Sequence, residues 1–387
     1  MPILFTNVTA VTMDPATPVL KNAFVAVEGT KIASVGTERP AGEFERVIDC
    51  TGKVMMPGFV NAHTHVPMAL MRGYGGGCDL HTWLNDYIFP AEAKLDGRCV
   101  AAGAALGLAE MIASGTTCIA DMYMHTETIA QTVLEAGVSA NLSCGAVYFG
   151  APEDFSPETC NDCGNHIRLY ENWHNAGDGQ LKVDASIHAE NTSLPPAREW
   201  VADFDQQHGL RMHVHVSETH SEHERCIDKY GKTPAQLLDR YGVWANGGIA
   251  AHCVYLSGGD AQLLAQRGVT AVHNPVSNLK LMSGVASLFF LRDCGVNVAL
   301  GTDGVASNNS HNMFEEMKVA ALIQNYSFGE DHGQLSAADI LAMATVNGAK
   351  ALRRNAGVIA PGKIADLILV DFTAPNLFPC HDIMENL

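Results

Sequence analysis

Six stretches of the 387-residue chain end an apolar, β-branched run with a histidine or an acid: His63-Thr-His65, His188, the His213/His215 pair followed by Glu218, His252, His273 and Asp303. On an extended segment, side chains two apart point the same way, so His63 and His65 can grip one cation together. A third imidazole from the 213/215 pair and the Asp303 carboxylate would complete a set of three nitrogens and one oxygen. Zinc suits such a set, and iron, manganese or nickel also accept it. An open position then remains for water, whose pKa falls toward about 7 on zinc. His213 and His215 share a face, so spacing alone does not separate them. His215 is preferred because it lies nearer the end of its strand, which leaves His213 as a deeper packing or supporting group. Glu218, three residues on, can carry protons to a substrate; the bland alternative is a solvated loop acid. A single strand-end histidine is commonly a satisfied core residue, but six such ends are hard to attribute to packing.

These groups need elements that bring them together. Residues 1–57 read as short strands (3–12, 22–28, 31–35 and 46–49) punctuated by Gly29, Gly36 and Gly52. After Pro57, apolar strands at 58–63, 117–122, 139–147, 181–189, 211–216, 248–254, 269–273 and 297–301 alternate with helical patterns near 100–114, 234–241 and 313–324. Ser336-Ala-Ala-Asp339 resembles a capping box opening a helix that reaches Leu352. Eight strand–helix repeats predict an α/β fold, a (β/α)8 TIM-type barrel over 58–356, whose active site lies at the strand ends. A doubly wound open sheet is the alternative, and the strand count disfavours it. From 357 the chain returns to β character, with a strand at 365–372. Segments 1–57 and 357–387 are therefore expected to form one small β-sandwich domain.

Composition limits the function. Apolar residues make up 47% and charged residues 17%, as in a globular protein with a large core. The net charge of −18 repels phosphates and argues against nucleic acid as a partner. Eleven cysteines form no regular framework, and Cys118, Cys253 and Cys294 lie in apolar runs, as reduced thiols do. Cys160-Asn-Asp-Cys163 is the only CxxC, so a zinc ribbon is not expected. No signal peptide and no apolar run of about 20 residues is evident. The expectation is a cytoplasmic protein without a membrane partner, its self-association into a homo-oligomer left open.

Five segments resemble the amidohydrolase superfamily: Pro57-Gly-Phe-Val-Asn-Ala-His-Thr-His65, His213-Val-His-Val-Ser-Glu-Thr219, Ala250-Ala-His-Cys253, His273-Asn-Pro-Val-Ser-Asn278 and Gly301-Thr-Asp-Gly-Val-Ala-Ser-Asn-Asn309. Ser217-Glu-Thr, Tyr230-Gly-Lys-Thr-Pro234 and Asn278-Leu-Lys-Leu281 are similar to its methylthioadenosine/S-adenosylhomocysteine deaminase branch. The resemblance implies that His63, His65, His215 and Asp303 hold one divalent ion, with Asp303 also taking a proton from the attacking water. It implies that Glu218 protonates the ring nitrogen and that His252 steadies the oxygen. Glu92 would grip ribose hydroxyls, His188 would touch the purine, Trp83 would close the pocket, and backbone near Ser307 would help bind the nucleoside. The implied reaction adds water at C6 of adenine, with charge accepted at N1, and releases ammonia.

Two departures bear on the substrate. Where relatives favouring S-adenosylhomocysteine place two arginines, this chain has Cys144 and Asp162, and Arg168 substitutes only if its loop folds differently. Methylthioadenosine, adenosine and 5′-deoxyadenosine therefore rank above S-adenosylhomocysteine. The chain also stops at Leu387, short of the further strands and helix of relatives, so either the sequence is shortened or its β domain is reduced.

Three other readings compete with this one. Guanine or pterin deamination, or triazine dechlorination, would use the same metal site, but Glu92 favours a sugar-bearing substrate. A non-catalytic scaffold should lack ligands, and none is missing. The HxE of His188-Ala-Glu190 lacks the downstream PCxxC of deaminases acting on nucleic acids.

Overall fold

The computed structural model describes residues 2–158 and 160–387. The N-terminal strands are β1 (Ile3–Val11), β2 (Val19–Glu28), β3 (Lys31–Gly36), β4 (Arg46–Asp49) and β5 (Lys53–Pro57). The barrel strands are β6 (Phe59–Thr64), β7 (Thr116–Met122), β8 (Ser139–Ser143), β9 (Leu181–Val183), β10 (Ala185–Ala189), β11 (Met212–Val216), β12 (Gly248–His252), β13 (Val269–His273) and β14 (Asn297–Leu300), and β15 (Leu367–Asp371) follows near the C-terminus.

The two chain ends meet in one mixed six-stranded sheet, ordered β15-β5-β1-β2-β3 with β4 also paired to β1. β15 runs antiparallel to β5 from Leu367↔Pro57 to Asp371↔Lys53. The sandwich expected from sequence thus takes the form of a single sheet around a small core of Val8, Ala10, Val25, Ile32, Met55 and the tail residue Ile359. β5 leads directly into β6, so this sheet is joined to the barrel at the strand that carries the first histidines.

In the barrel, β6-β7-β8-β9 and β10-β11-β12-β13-β14 form two parallel arcs. Isolated parallel bridges Ala146↔Ile187 and Thr64↔Asp303 link the arcs at both seams. β11, β12 and β13 are buried along their whole length, as strands covered on both faces must be. The predicted run 181–189 divides at Asp184, a buried carboxylate that accepts a 2.8 Å hydrogen bond from Asn141. The predicted helix to Leu352 breaks at Thr345, whose hydroxyl donates to the Leu341 carbonyl at 2.6 Å. Such back-bonding competes with the helical ladder.

The helix Gly97–Ala113 clamps the turn that follows His65. A Cβ on Gly103 would lie 2.4 Å from the Pro67 carbonyl oxygen, and one on Gly107 would lie 2.8 Å from that of Val66. Glycine is required by this close backbone approach. Buried Asp121 holds the same turn by accepting the Val66 N–H at 2.7 Å. All eleven cysteines are free thiols, with Cys118 and Cys253 buried and Cys294 only partly so. Among the described residues no helix is long and apolar enough to cross a membrane.

Candidate active site

β6 presents His63 with His65 just past its end, β11 presents His215, and Asp303 follows β14. The His63 ring lies 4.9 Å from those of both His65 and His215, centroid to centroid. His65 Nε2 is 3.2 Å from Asp303 Oδ1 and 3.3 Å from His215 Nε2, and His63 Nε2 is 3.6 Å from the same carboxylate oxygen. The other ring nitrogens are engaged outside this centre. His65 Nδ1 donates to the Met122 carbonyl, and His215 Nδ1 donates to that of His188 at 2.7 Å. His63 Nδ1 meets His213 Nε2 at 2.8 Å. His213 therefore stands behind the centre, and His215 reaches it. Anchoring Nδ1 fixes the tautomer and turns the Nε2 lone pair inward, as in metal-binding histidines.

Buried His63 Nε2 has no hydrogen-bond partner among the described residues. An orphaned inward nitrogen is costly unless something else occupies the centre. The donor set, converging to within 4.8 Å for His63, His65 and Asp303 and again for His63, His215 and His252, fits one divalent ion. Burial pushes His63 down to about 3, so it stays neutral and able to donate its lone pair. Burial opposes charge on Asp303, but contacts with His63 and His65 hold it well below the usual carboxylate range.

The proton-handling groups adjoin this centre. Glu218 Oε2 lies 3.7 Å from His252 Nε2, and Glu218 Oε1 accepts from Ser283 Oγ at 3.2 Å. Burial raises the Glu218 pKa, which favours holding a proton. His252 Nδ1 is tied to Asn278 Oδ1 at 2.8 Å. Ser217, His252 and Asp303 adopt φ of 48°, 71° and 59° where their strands end. Non-glycine residues held at positive φ store strain, and such positions cluster at functional sites.

A cavity of about 1040 Å³ opens above the centre, lined by His65, Glu218, His252 and Asp303 and by Trp83, Glu92 and His188. Trp83 is buried and donates its indole N–H to the Tyr74 carbonyl at 3.3 Å. Burial pushes His188 down to about 4, so its ring stays neutral, and its Nδ1 lies 3.0 Å from the Thr192 hydroxyl. Burial raises the Glu92 pKa, and the neighbouring Tyr123 hydroxyl lowers it. Tyr123 also lines the cavity, and its buried hydroxyl has no partner at hydrogen-bond distance among the described residues.

Two of the residues singled out in the sequence, Ser307 and His273, lie off the cavity lining. The Ser307 hydroxyl is spent on Asp303 Oδ2 at 3.0 Å and on the Gly304 carbonyl, which sets the residue beside the carboxylate and apart from the cavity lining. His273 is fully enclosed, with both ring nitrogens unpartnered among the described residues. Cys144 and Asp162 line the cavity, and Asp162 accepts the Val147 N–H at 3.0 Å. Arg168 is half exposed and faces Glu127 at 3.8 Å. The cations that do line the cavity are Arg198, Arg225 and Lys229, on the helices Pro195–His208 and His220–Tyr230, and no sequence motif drew attention to them. Tyr123, Ser277 and Ser283 were also missed, although Ser277 lies inside the His273–Asn278 motif.

The Amidohydrolase family matches residues 54–386. A 5′-deoxyadenosine deaminase of Methanosarcina acetivorans is 42% identical over 385 residues, covering 100% of this chain and 88% of that protein. A 5-methylthioadenosine/S-adenosylhomocysteine deaminase of Thermococcus sibiricus is 43% identical over 94% of this chain and 85% of its own length. The crystal structure of an adenosine deaminase from Xanthomonas campestris, solved with zinc bound, superposes with a TM-score of 0.91 at 33% identity, covering 99% of this chain and 88% of that one.

Proposed function

The chain belongs to the amidohydrolase family, and from that premise we propose that it hydrolyses the C6 amino group of an adenine nucleoside, giving the inosine analogue and ammonia. The observation that carries this reading is the convergence of His63, His65, His215 and Asp303 beside Glu218 and His252, on the floor of a cavity that also holds Glu92. An acid, a base and a cation site within one wall are what addition of water to an amidine carbon requires.

His63, His65, His215 and Asp303 would hold one divalent ion, zinc first among the candidates. When bound, it would supply a Lewis acid and lower the pKa of a coordinated water toward about 7. Asp303 takes a proton from the attacking water as its oxygen bonds to C6. Glu218, whose pKa burial raises, delivers a proton to N1, so the ring does not carry the negative charge. His252 hydrogen-bonds the incoming oxygen, its ring fixed by Asn278. Ammonia leaves with a proton returned from this set of groups. Glu92 binds ribose hydroxyls, His188 approaches the purine as a neutral ring, and Trp83 covers the base.

The 5′ end is where selectivity arises. Cys144 and Asp162 offer no guanidinium, and the bidentate arginine grip natural to a carboxylate is missing at those positions. Methylthioadenosine, 5′-deoxyadenosine and adenosine are the preferred substrates over S-adenosylhomocysteine. Arg225 and Lys229 are solvent-exposed and are the groups through which a charged 5′ substituent would be tolerated. Steady-state rates on these four nucleosides and on free guanine, followed by ultraviolet absorbance and ammonia release, test the reading. Activity confined to guanine would overturn it.

A further inference from the structure

Asp303 presents one carboxylate oxygen to the histidines and the other to two serines. Ser277 Oγ donates to Oδ2 at 2.6 Å and Ser307 Oγ donates to the same atom at 3.0 Å. The serines arrive on separate segments, Ser277 in the turn of helix Pro275–Lys280 and Ser307 in Val305–Asn308. Glu316, in the first turn of the helix Met313–His332, is 1% exposed and reaches both segments. Its Oε2 accepts the Val276 N–H at 3.4 Å, next to Ser277, and its Oε1 accepts from Asn308 Nδ2, next to Ser307. Asn308 Nδ2 also donates to the Thr302 carbonyl at 2.7 Å, on the other side of Asp303.

A buried carboxyl is expensive to maintain, and an apolar residue would fill the same space more cheaply. Its neighbour Glu315 is exposed, so this helix turn offers an acid a route to water that Glu316 does not take. Burial pushes Glu316 up to about 8, against the two hydrogen bonds it accepts from Asn308 and Val276. We propose that Glu316 is a positioning residue for the proton-accepting Asp303, tying together the two segments whose serines orient its carboxylate. The inference rests on the reading of Asp303 given above.

The test is a mutant cycle on the metal-loaded protein with methylthioadenosine as substrate. Glu316→Ala is expected to lower kcat by about 10–100-fold, with KM changed less than about twofold and bound metal retained. Ser277→Ala/Ser307→Ala should show the same signature. Adding Glu316→Ala to that double variant should cost less than about twofold more, because groups acting as one unit are not additive. Glu316→Gln keeps the volume and one acceptor oxygen, so it should fall between native and Ala, with its deficit likewise absorbed in the serine-less background. Gln is the deciding variant where Ala weakens folding. Native kcat in Glu316→Gln, or losses that multiply in the serine-less protein, would overturn the role of Glu316. Asp303→Asn run alongside separates the two readings. Turnover retained there overturns the site itself, whereas an inert Asp303→Asn with multiplying losses overturns only Glu316.

Discussion

His63 Nδ1 lies 2.8 Å from His213 Nε2, so one imidazole of the strand-end cluster is supported by another one layer deeper in the barrel. Burial holds His213 well below the usual histidine range, which keeps it a neutral acceptor. His213→Phe keeps an aromatic ring and removes the acceptor, leaving the His63 N–H unpaired. Metal affinity, measured by chelator competition, should fall by about 10–100-fold while the fold is retained. Unchanged affinity would show that His63 needs no support from behind.

Asp303→Asn keeps the shape of the carboxylate and its contact with the serines, but cannot take a proton. The expected product is a folded protein whose kcat is lower by about 10²–10⁴-fold. Circular dichroism and steady-state kinetics check both halves, and a variant turning over near the native rate refutes Asp303 as base.

The histidine positions were legible because parallel strands buried on both faces read as apolar runs, against which His63, His215 and His252 stand out. The barrel followed from the same runs. The support groups were not legible, since their chemistry depends on which neighbour buries them. Glu315 and Glu316 are adjacent acids in one helix turn, yet one is exposed and the other enclosed. Tyr123 reads as an aromatic just past a strand, and only the fold shows its buried hydroxyl facing Glu92. Ser307 lay in a recognisable motif, but its hydroxyl turned out to serve Asp303.

The Gly97–Ala113 helix is predicted to be intolerant of a single methyl group at Gly103. The added Cβ would meet the Pro67 backbone at 2.4 Å, and backbone cannot swing away as a side chain can. Overpacking of this kind costs about 1–3 kcal/mol. Gly103→Ala should lower Tm and, because the displaced turn begins at His65, lower kcat as well. A Tm and kcat equal to native would mean that the helix shifts freely.

Asp205 should make stability depend on pH. It is fully enclosed, Oδ1 has no partner among the described residues, and burial, reinforced by Asp184, pushes it up to about 7. Below its ordinary value both folded and unfolded chains hold the proton. Between about 4 and 7 only the folded chain holds it, so stability falls as pH rises through that window and then levels off. Asp205→Asn removes this contribution, and its urea midpoint should decline less than the native one between pH 5 and pH 8. Equal declines would exclude Asp205 as a source.

Glu92 decides between a nucleoside and a bare base as the natural substrate. It lines the same cavity as Glu218, which in the proposed reaction acts on the purine ring. If Glu92 grips the ribose, the native protein should deaminate methylthioadenosine with a far higher kcat/KM than adenine. A hydrogen bond to a charged group contributes about 1.5–3 kcal/mol. Glu92→Ala should therefore reduce kcat/KM for the nucleoside by about 10–100-fold. It should leave the rate on adenine nearly unchanged, because that substrate has nothing for Glu92 to hold. An equal loss on both would place Glu92 in the chemistry at C6, and no loss on either would leave the sugar to other groups, with the cavity-lining Tyr123 hydroxyl the first to examine.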